Sequence, residues 1–193
     1  MNTPLPCPEL QTERLYLQPI QEADANGLWT LWSSKDFAQM AGIEPAQSIT
    51  DIDANISYFK TLNGSGFYYK WAIKDKQTLE FLGEFELYPL KPQIRPWGEW
   101  GVGFSLTPRR WREGLMTEAL SCVLTHAFSQ LHAIRIKADV HLYNKASLAL
   151  LQKMGFIQEG VQRSKLQVGT QIHDMLLLSL TPNDFAQQNS QNE

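Results

Sequence analysis

The densest run of chemistry in this 193-residue chain is Phe104-Ser105-Leu106-Thr107-Pro108-Arg109-Arg110-Trp111-Arg112-Glu113-Gly114-Leu115-Met116-Thr117. A strand-like run ends in a short loop, and the loop opens a long amphipathic helix. Such a junction points several unpaired backbone N–H groups at one place, and the helix dipole adds partial positive charge there. Gly114 lets an anion come close to the backbone. The chemistry predicted is a phosphate cradle; a plain turn with a helix start is the other reading of the same residues. A second polar run follows at Asp139-Val140-His141-Leu142-Tyr143-Asn144-Lys145-Ala146-Ser147. Asn144 and Ser147 stand three apart at a helix start, so both side chains can face one cleft. Asn144 serves equally well as a simple N-cap.

The elements that must position these residues read as follows. Arg14 to Pro19 alternates and ends at proline, as a first strand does. Glu22 to Ser33 places Ala25, Leu28, Trp29 and Trp32 on one helical face, and Ser48 starts a second helix carrying Ile52, Ile56 and Phe59. Three strand-like runs come next, Gly66 to Lys74, Leu79 to Tyr88 and Trp97 to Leu106. From Met116 to Leu131 the apolar residues recur every three or four positions, which predicts a long helix. Ile134 to His141 alternates as a two-faced strand, Lys145 to Met154 is helical and stops at Gly155, and two β-rich runs, Val161 to Val168 and Ile172 to Leu180, close the chain. The order predicts a single α/β domain over 10–182 with a mixed, mostly antiparallel sheet. Residues 1–9, with three prolines, and 183–193, rich in Gln and Asn, read as flexible ends.

Composition narrows the function. With 43% hydrophobic and 19% charged residues the chain can bury a core and is not disordered. A net charge of −3 argues against a basic face for nucleic acid. The longest apolar run, Met175 to Leu178, is far too short to cross a bilayer. Cys7 and Cys122 lack Cys-x-x-Cys spacing, and no secretory signal is evident, so a reduced cytoplasmic protein is expected. His126, His132 and His173 have no metal-ligand spacing, so no metal is expected. Trp29, Trp32, Phe67, Tyr68 and Tyr69 either pack in the core or line a substrate wall.

Gly114-Leu115-Met116-Thr117-Glu118-Ala119-Leu120, Asn144-x-x-Ser147 and Met154-Gly155-Phe156 with Glu159-Gly160, in this order and separation, resemble the GCN5-related N-acetyltransferase (GNAT) family. Within it they are most similar to the branch that acetylates N-terminal amines of ribosomal proteins, and the likeness runs from Thr12-Glu13-Arg14-Leu15 to Asp174. It implies a sheet whose central strands splay apart, with helices on its flanks. It also implies acetyl-CoA as co-substrate and an amine-bearing protein, peptide or small molecule as acceptor, handled by a monomer or homodimer. A non-catalytic acetyl-CoA-binding module is the alternative outside enzymes. The family loop, Q/R-x-x-G-x-G/A, falls on Trp111, Gly114 and Met116. Trp and Met replace the usual types, Arg112 stands where this branch often has glycine, and Glu113 puts an acid in the loop.

What the resemblance implies about individual residues is specific. Phe104, Ser105 and Leu106 would meet the pantetheine arm, and Trp111, Arg112, Glu113, Gly114, Leu115, Met116 and Thr117 the pyrophosphate. Asn144 and Ser147 would lie beside the arm. Leu151 occupies the position where many relatives carry an acid tyrosine, so Ser147 is expected to serve the departing thiolate. Glu99 and Asp139 are the two expected bases; each is otherwise an exposed strand carboxylate. His141 is a third candidate, in a turn where histidines are usually solvated.

Overall fold

The structure, a computed structural model, describes residues 5–66, 68–91 and 98–190. Eight strands form one sheet in the order β1-β2-β3-β4-β5-β6-β8-β7: β1 (Leu10–Gln11), β2 (Leu15–Pro19), β3 (Tyr69–Asp75), β4 (Phe81–Pro89), β5 (Glu99–Leu106), β6 (Arg135–His141), β7 (Ile157–Val168) and β8 (Gln171–Leu180). Among the described residues six α-helices accompany them: α1 (Ala25–Trp32), α2 (Lys35–Ala41), α3 (Ile49–Ser65), α4 (Leu115–Ser129), α5 (Lys145–Lys153) and α6 (Pro182–Ser190). The mixed, mostly antiparallel sheet expected from the element order is borne out. β5–β6 is its parallel pair.

Strand alternation divides the core. Tyr69, Trp71 and Ile73 of β3, Phe85 and Leu87 of β4 and Trp100 and Val102 of β5 join a large cluster with the apolar stripe of α4, Leu115, Ala119, Leu120, Val123, Leu124 and Ala127. A smaller cluster joins Ile20, just after β2, to Leu28 of α1 and to Ile52 and Ile56 of α3. Local chemistry sets the helix ends. Ser48 and Asp51 form a reciprocal capping box at α3, which stops at Gly66 with φ +68°.

Two expectations about the ends are corrected. Cys7 is buried and its amide donates to the Asn63 carbonyl at 2.9 Å, while Trp71 Nε1 donates to the Pro8 carbonyl at 2.6 Å. Cys7 and Pro8, ahead of β1, are therefore hydrogen-bonded to the domain. At the other end α6 occupies most of the expected flexible tail. Thr181 and Asp184 cap it, and Phe185 is buried against Phe128 of α4, ring centroids 5.4 Å apart. One aromatic on an otherwise polar helix supplies the docking. The helix α2 also went unread, because two turns are too short for a clear period. Trp97, expected to start β5, lies outside the described residues.

Candidate active site

β5 and β6 run side by side only at Glu99–Arg135, Trp100–Ile136 and Gly101–Lys137. Beyond Gly101 the strands part, and residues 102–106 of β5 keep a partner only on the β4 side. Their N–H and C=O groups on the β6 side form an open edge inside the protein, where strand backbone is costly to leave unpaired. A cavity of about 850 Å³ fills the opening, with Val102 to Leu106 on one wall and Ala138 to His141 on the other.

The loop after β5 closes one end. Trp111 Nε1 donates to the Leu106 carbonyl at 2.7 Å, which ties the loop to the strand it leaves. Arg112 has φ +65° and Gly114 φ +77°, so the backbone is left-handed twice in three residues. Such alternation turns successive amides toward one side. The first bond of α4 runs from the Glu118 amide to the Gly114 carbonyl, and no side chain caps the helix. The amides of Leu115, Met116 and Thr117 therefore have no acceptor within the helix. Arg14 braces the loop from β2's side: Nη1 donates to the Glu113 carbonyl at 2.9 Å, and Nε pairs with Glu118 at 2.7 Å. Arg110 is held by Glu113 at 3.0 Å and Asp75 at 3.3 Å, and Arg109 by Glu80. Arg112 has no ion-pair partner among the described residues and lines the cavity.

Asn144 caps α5 by accepting from the Ser147 amide at 3.0 Å, and both residues line the cavity. The capping reading and the cleft reading of Asn144 thus hold together. Phe104, Ser105, Leu106, Trp111, Gly114, Leu115, Met116 and Thr117 line it as well. Glu113 does not; its carboxylate is turned to Arg110. Leu151 is buried against the core and also lines the cavity.

The expected bases part company. Glu99 is outside the cavity wall, at the closed end of the β5–β6 pair, with Lys91 and Lys137 each 3.6 Å from its carboxylate. Its place along the strand keeps it from the cleft. Asp139 is on the wall, with Gln162 Nε2 at 2.5 Å and Lys165 Nζ at 3.4 Å. His141 is also on the wall and is not solvated. It is 4% exposed, and neither ring nitrogen has a hydrogen-bond partner. Burial, then the His173 ring 4.8 Å away, holds its pKa below the ordinary histidine value.

The other end of the cavity is polar and aromatic. Lys70 of β3 places Nζ 2.9 Å from Glu84 and 3.0 Å from Glu86, both on β4. Trp32 Nε1 and Ser105 Oγ donate to Glu84 Oε1 at 3.0 and 3.2 Å, and Tyr68 donates to Glu86 Oε2. Lys70 Nζ lies 5.0 Å from the centre of the Phe59 ring and 5.6 Å from that of Trp32. Burial lowers the Lys70 pKa, but the two carboxylates outweigh it and leave the ammonium above its ordinary value. Burial likewise raises Glu86, and Lys70 with Tyr68 more than reverses that. Burial and the Glu86 charge push Tyr88 up to about 12.

Comparison with known proteins decides the family. A family profile described as "Acetyltransferase (GNAT) domain" matches residues 14–157. The chain belongs to the GNAT acetyltransferase family. The N-acetyltransferase YoaA of Bacillus subtilis is 34% identical over 164 residues, covering 84% of this chain and 91% of that one. The ribosomal protein uS5-alanine N-acetyltransferase of Escherichia coli is 33% identical over 84 residues, covering 44% and 43%. Among solved structures, Mycobacterium smegmatis RimJ in complex with CoA-disulfide superposes with a TM-score of 0.79 at 21% identity, covering 98% of this chain and 95% of that one. Spermidine N-acetyltransferase from Vibrio cholerae, in complex with CoA and spermine, gives 0.77 at 15%, covering 91% and 99%.

This GNAT chain is therefore an acyltransferase. Lys70, Glu84 and Glu86 were missed as site residues. Glu84-Phe85-Glu86 alternates like a solvated strand, and only the register Lys70↔Glu86 together with Trp32 and Phe59 turns that face into a recess. Of the aromatic residues left open between core and wall, Trp32 reaches the cavity and Tyr68 bonds Glu86. Trp29 packs with the small cluster and Tyr69 is core. Phe67 lies outside the described residues. Among the described residues no helix is long and apolar enough to cross a membrane.

Proposed function

We propose that this GNAT enzyme moves the acetyl group of acetyl-CoA directly to a primary amine, foremost the N-terminal amine of a protein or peptide such as a ribosomal protein. The observation that carries the reading is the single cavity in which the open edge of β5, the uncapped start of α4, Ser147 and an acidic recess meet. The residues present fit acetyl-CoA. Uncapped amides at Leu115 to Thr117, with the unpaired Arg112, suit a pyrophosphate. The free side of residues 102–106 suits the amides of the pantetheine arm, bound as an added strand would be. Two unpaired cysteines accord with a reducing, cytoplasmic setting.

The transfer asks three things of the chain. The amine must be neutral, the thioester carbonyl must be polarised, and the leaving sulfur must gain a proton. Asp139 stands on the β6 wall as the base, working through water. Ser147 at the start of α5 hydrogen-bonds the departing sulfur as the C–N bond forms and the C–S bond breaks, and passes to it a proton that it recovers from water. Holding both substrates in one cleft supplies much of the acceleration.

A small-molecule amine is the second reading, favoured by the Glu84–Glu86 recess with its aromatic walls. One acceptor panel, peptides against alkylamines and polyamines, with CoA release as the readout, separates the two. Tight acetyl-CoA binding with no turnover on any acceptor would instead make the protein a binding module. Ser147→Ala tests the site itself. It is expected to lower single-turnover acetyl transfer about 10–100-fold, at or below the low end of general-acid assistance, because a hydroxyl is a weak acid. Acetyl-CoA affinity should change far less, since the hydroxyl matters most as the C–S bond breaks. Unaltered chemistry in the folded variant would return Ser147 to a plain helix-start residue.

A further inference from the structure

We propose that Glu86 is the residue that selects the acceptor, binding it as a primary ammonium cation at the β5 end of the acidic recess; the assignment of that cation as acetyl acceptor rests on the acetyltransferase reading above. Among the described residues the recess holds two carboxylates against one ammonium, and so lacks one positive charge. Glu84 cannot be where the second cation binds. Its side chain is 9% exposed, with one oxygen held by Trp32 and Ser105 and the other beside Lys70. Lys70 is sealed too, at 4%. Glu86 keeps 26% of its side chain open, and it lines the cavity. Tyr68 and Lys70 both bind its Oε2, which leaves Oε1 without a hydrogen bond among the described residues.

The backbone is cut to let this carboxylate reach the cleft. A Cβ on Gly103 of β5 would come within 2.4 Å of Glu86 Oε1, and one on Gly101 within 2.5 Å of the Tyr88 ring. Any larger residue at 103 would displace the carboxylate from the strand where the splay begins. Glycine in a strand weakens it and commonly marks such an approach. The glycines thus let β4 side chains lean across β5 into the opening. Phe59, Tyr68 and Tyr88 form a stacked wall beside the carboxylate, with centroids 5.6 and 5.5 Å apart, suited to the alkyl part of an amine. The β6 wall gives an independent sign of a polar ligand. His141, 4% exposed, lines the same cavity with both ring nitrogens unpartnered, and buried polar atoms seldom stay so.

The test compares butylammonium with the neutral butan-1-ol, by calorimetry on the protein saturated with CoA. The wild type should bind the ammonium at least about tenfold more tightly, as expected for a hydrogen bond to a charged group. Glu86→Gln should bring the two ligands to within about threefold, and Glu86→Asp should keep most of the preference. Gly103→Ala keeps every charge but moves the carboxylate, and should lose the preference as well. In acetyl transfer Glu86→Gln should raise the acceptor KM about 10–100-fold while the acetyl-CoA KM holds. Equal binding of ammonium and alcohol by the wild type, or an unchanged preference in folded Glu86→Gln, overturns the proposal. Ammonium preference without acetyl transfer to any amine would sink the acetyltransferase reading and leave Glu86 as a cation site.

Discussion

Lys70→Met is expected to lower stability by about 3–5 kcal/mol at neutral pH, the usual cost of removing one partner from a buried ion pair. Methionine matches the lysine stem in length and stays between Trp32 and Phe59, so packing is largely kept. What is lost is, among the described residues, the only cation paired with Glu84 and Glu86, 2.9 and 3.0 Å away. The remaining hydrogen bonds from Trp32, Ser105 and Tyr68 solvate the carboxylates but do not cancel two charges in one recess. Urea unfolding at pH 7 measures the difference. A loss below about 1 kcal/mol, the range of exposed pairs, would mean that water reaches the recess and screens it.

The same variant should reverse a pH dependence. In the wild type the Glu86 carboxyl lies below its ordinary value, because Lys70 and Tyr68 outweigh burial. Its contribution to stability is therefore complete above the unfolded value, about 4.3, and is lost as pH falls through the folded one. Without Lys70, burial dominates and raises the carboxyl above the unfolded value. Stability from that group is then present below about 4.3 and lost as pH rises through the new, higher value. Between pH 7 and pH 5 the variant should gain on the wild type. A constant gap across that interval would show that Glu86 does not respond to Lys70.

How much of this was legible depended on the range of the interactions. α4 shows in the sequence because Leu115, Ala119, Leu120, Val123, Leu124 and Ala127 fall on one stripe, a purely local pattern. That Trp111, Gly114, Asn144 and Ser147 meet at one cavity was legible for a similar reason: they lie within two short segments, each a strand running into a helix. α6 was missed although Thr181, Pro182 and Asp184 spell a helix start, because its single anchor, Phe185, has no apolar neighbour at helical spacing. The acidic recess depends on strand register and on α1 and α3 folding over it, so Lys70, Glu84 and Glu86 carry no local mark of burial. Glu99 shows the converse: it lies outside the cavity wall. Parity along β5 puts it on the same side as Gly103 and Ser105, but only the three-pair contact with β6 fixes where the cleft begins.

Gly114→Pro should reduce acetyl-CoA affinity at least about 100-fold while the protein stays folded. Gly114 has φ +77°, and proline is confined near −65°, a conflict worth about 3 kcal/mol or more, which a loop relieves by moving. Proline also deletes the amide of residue 114, one of the loop amides next to those at the start of α4. Crowding is not the cause: an added Cβ would meet only Arg14 Nη2, at 3.6 Å. Gly114→Ala therefore isolates the backbone term. It keeps the N–H, fits the space and carries only the left-handed penalty of about 1–2 kcal/mol, so its affinity loss should be roughly tenfold. The core stripe of α4 starts at Leu115 and is untouched, and Arg14 still binds Glu118, so both variants should unfold cooperatively. Calorimetric titration with acetyl-CoA ranks the three proteins. Equal affinity in folded Gly114→Pro would remove the loop amides from the cofactor site and leave the open edge of β5 as its principal anchor.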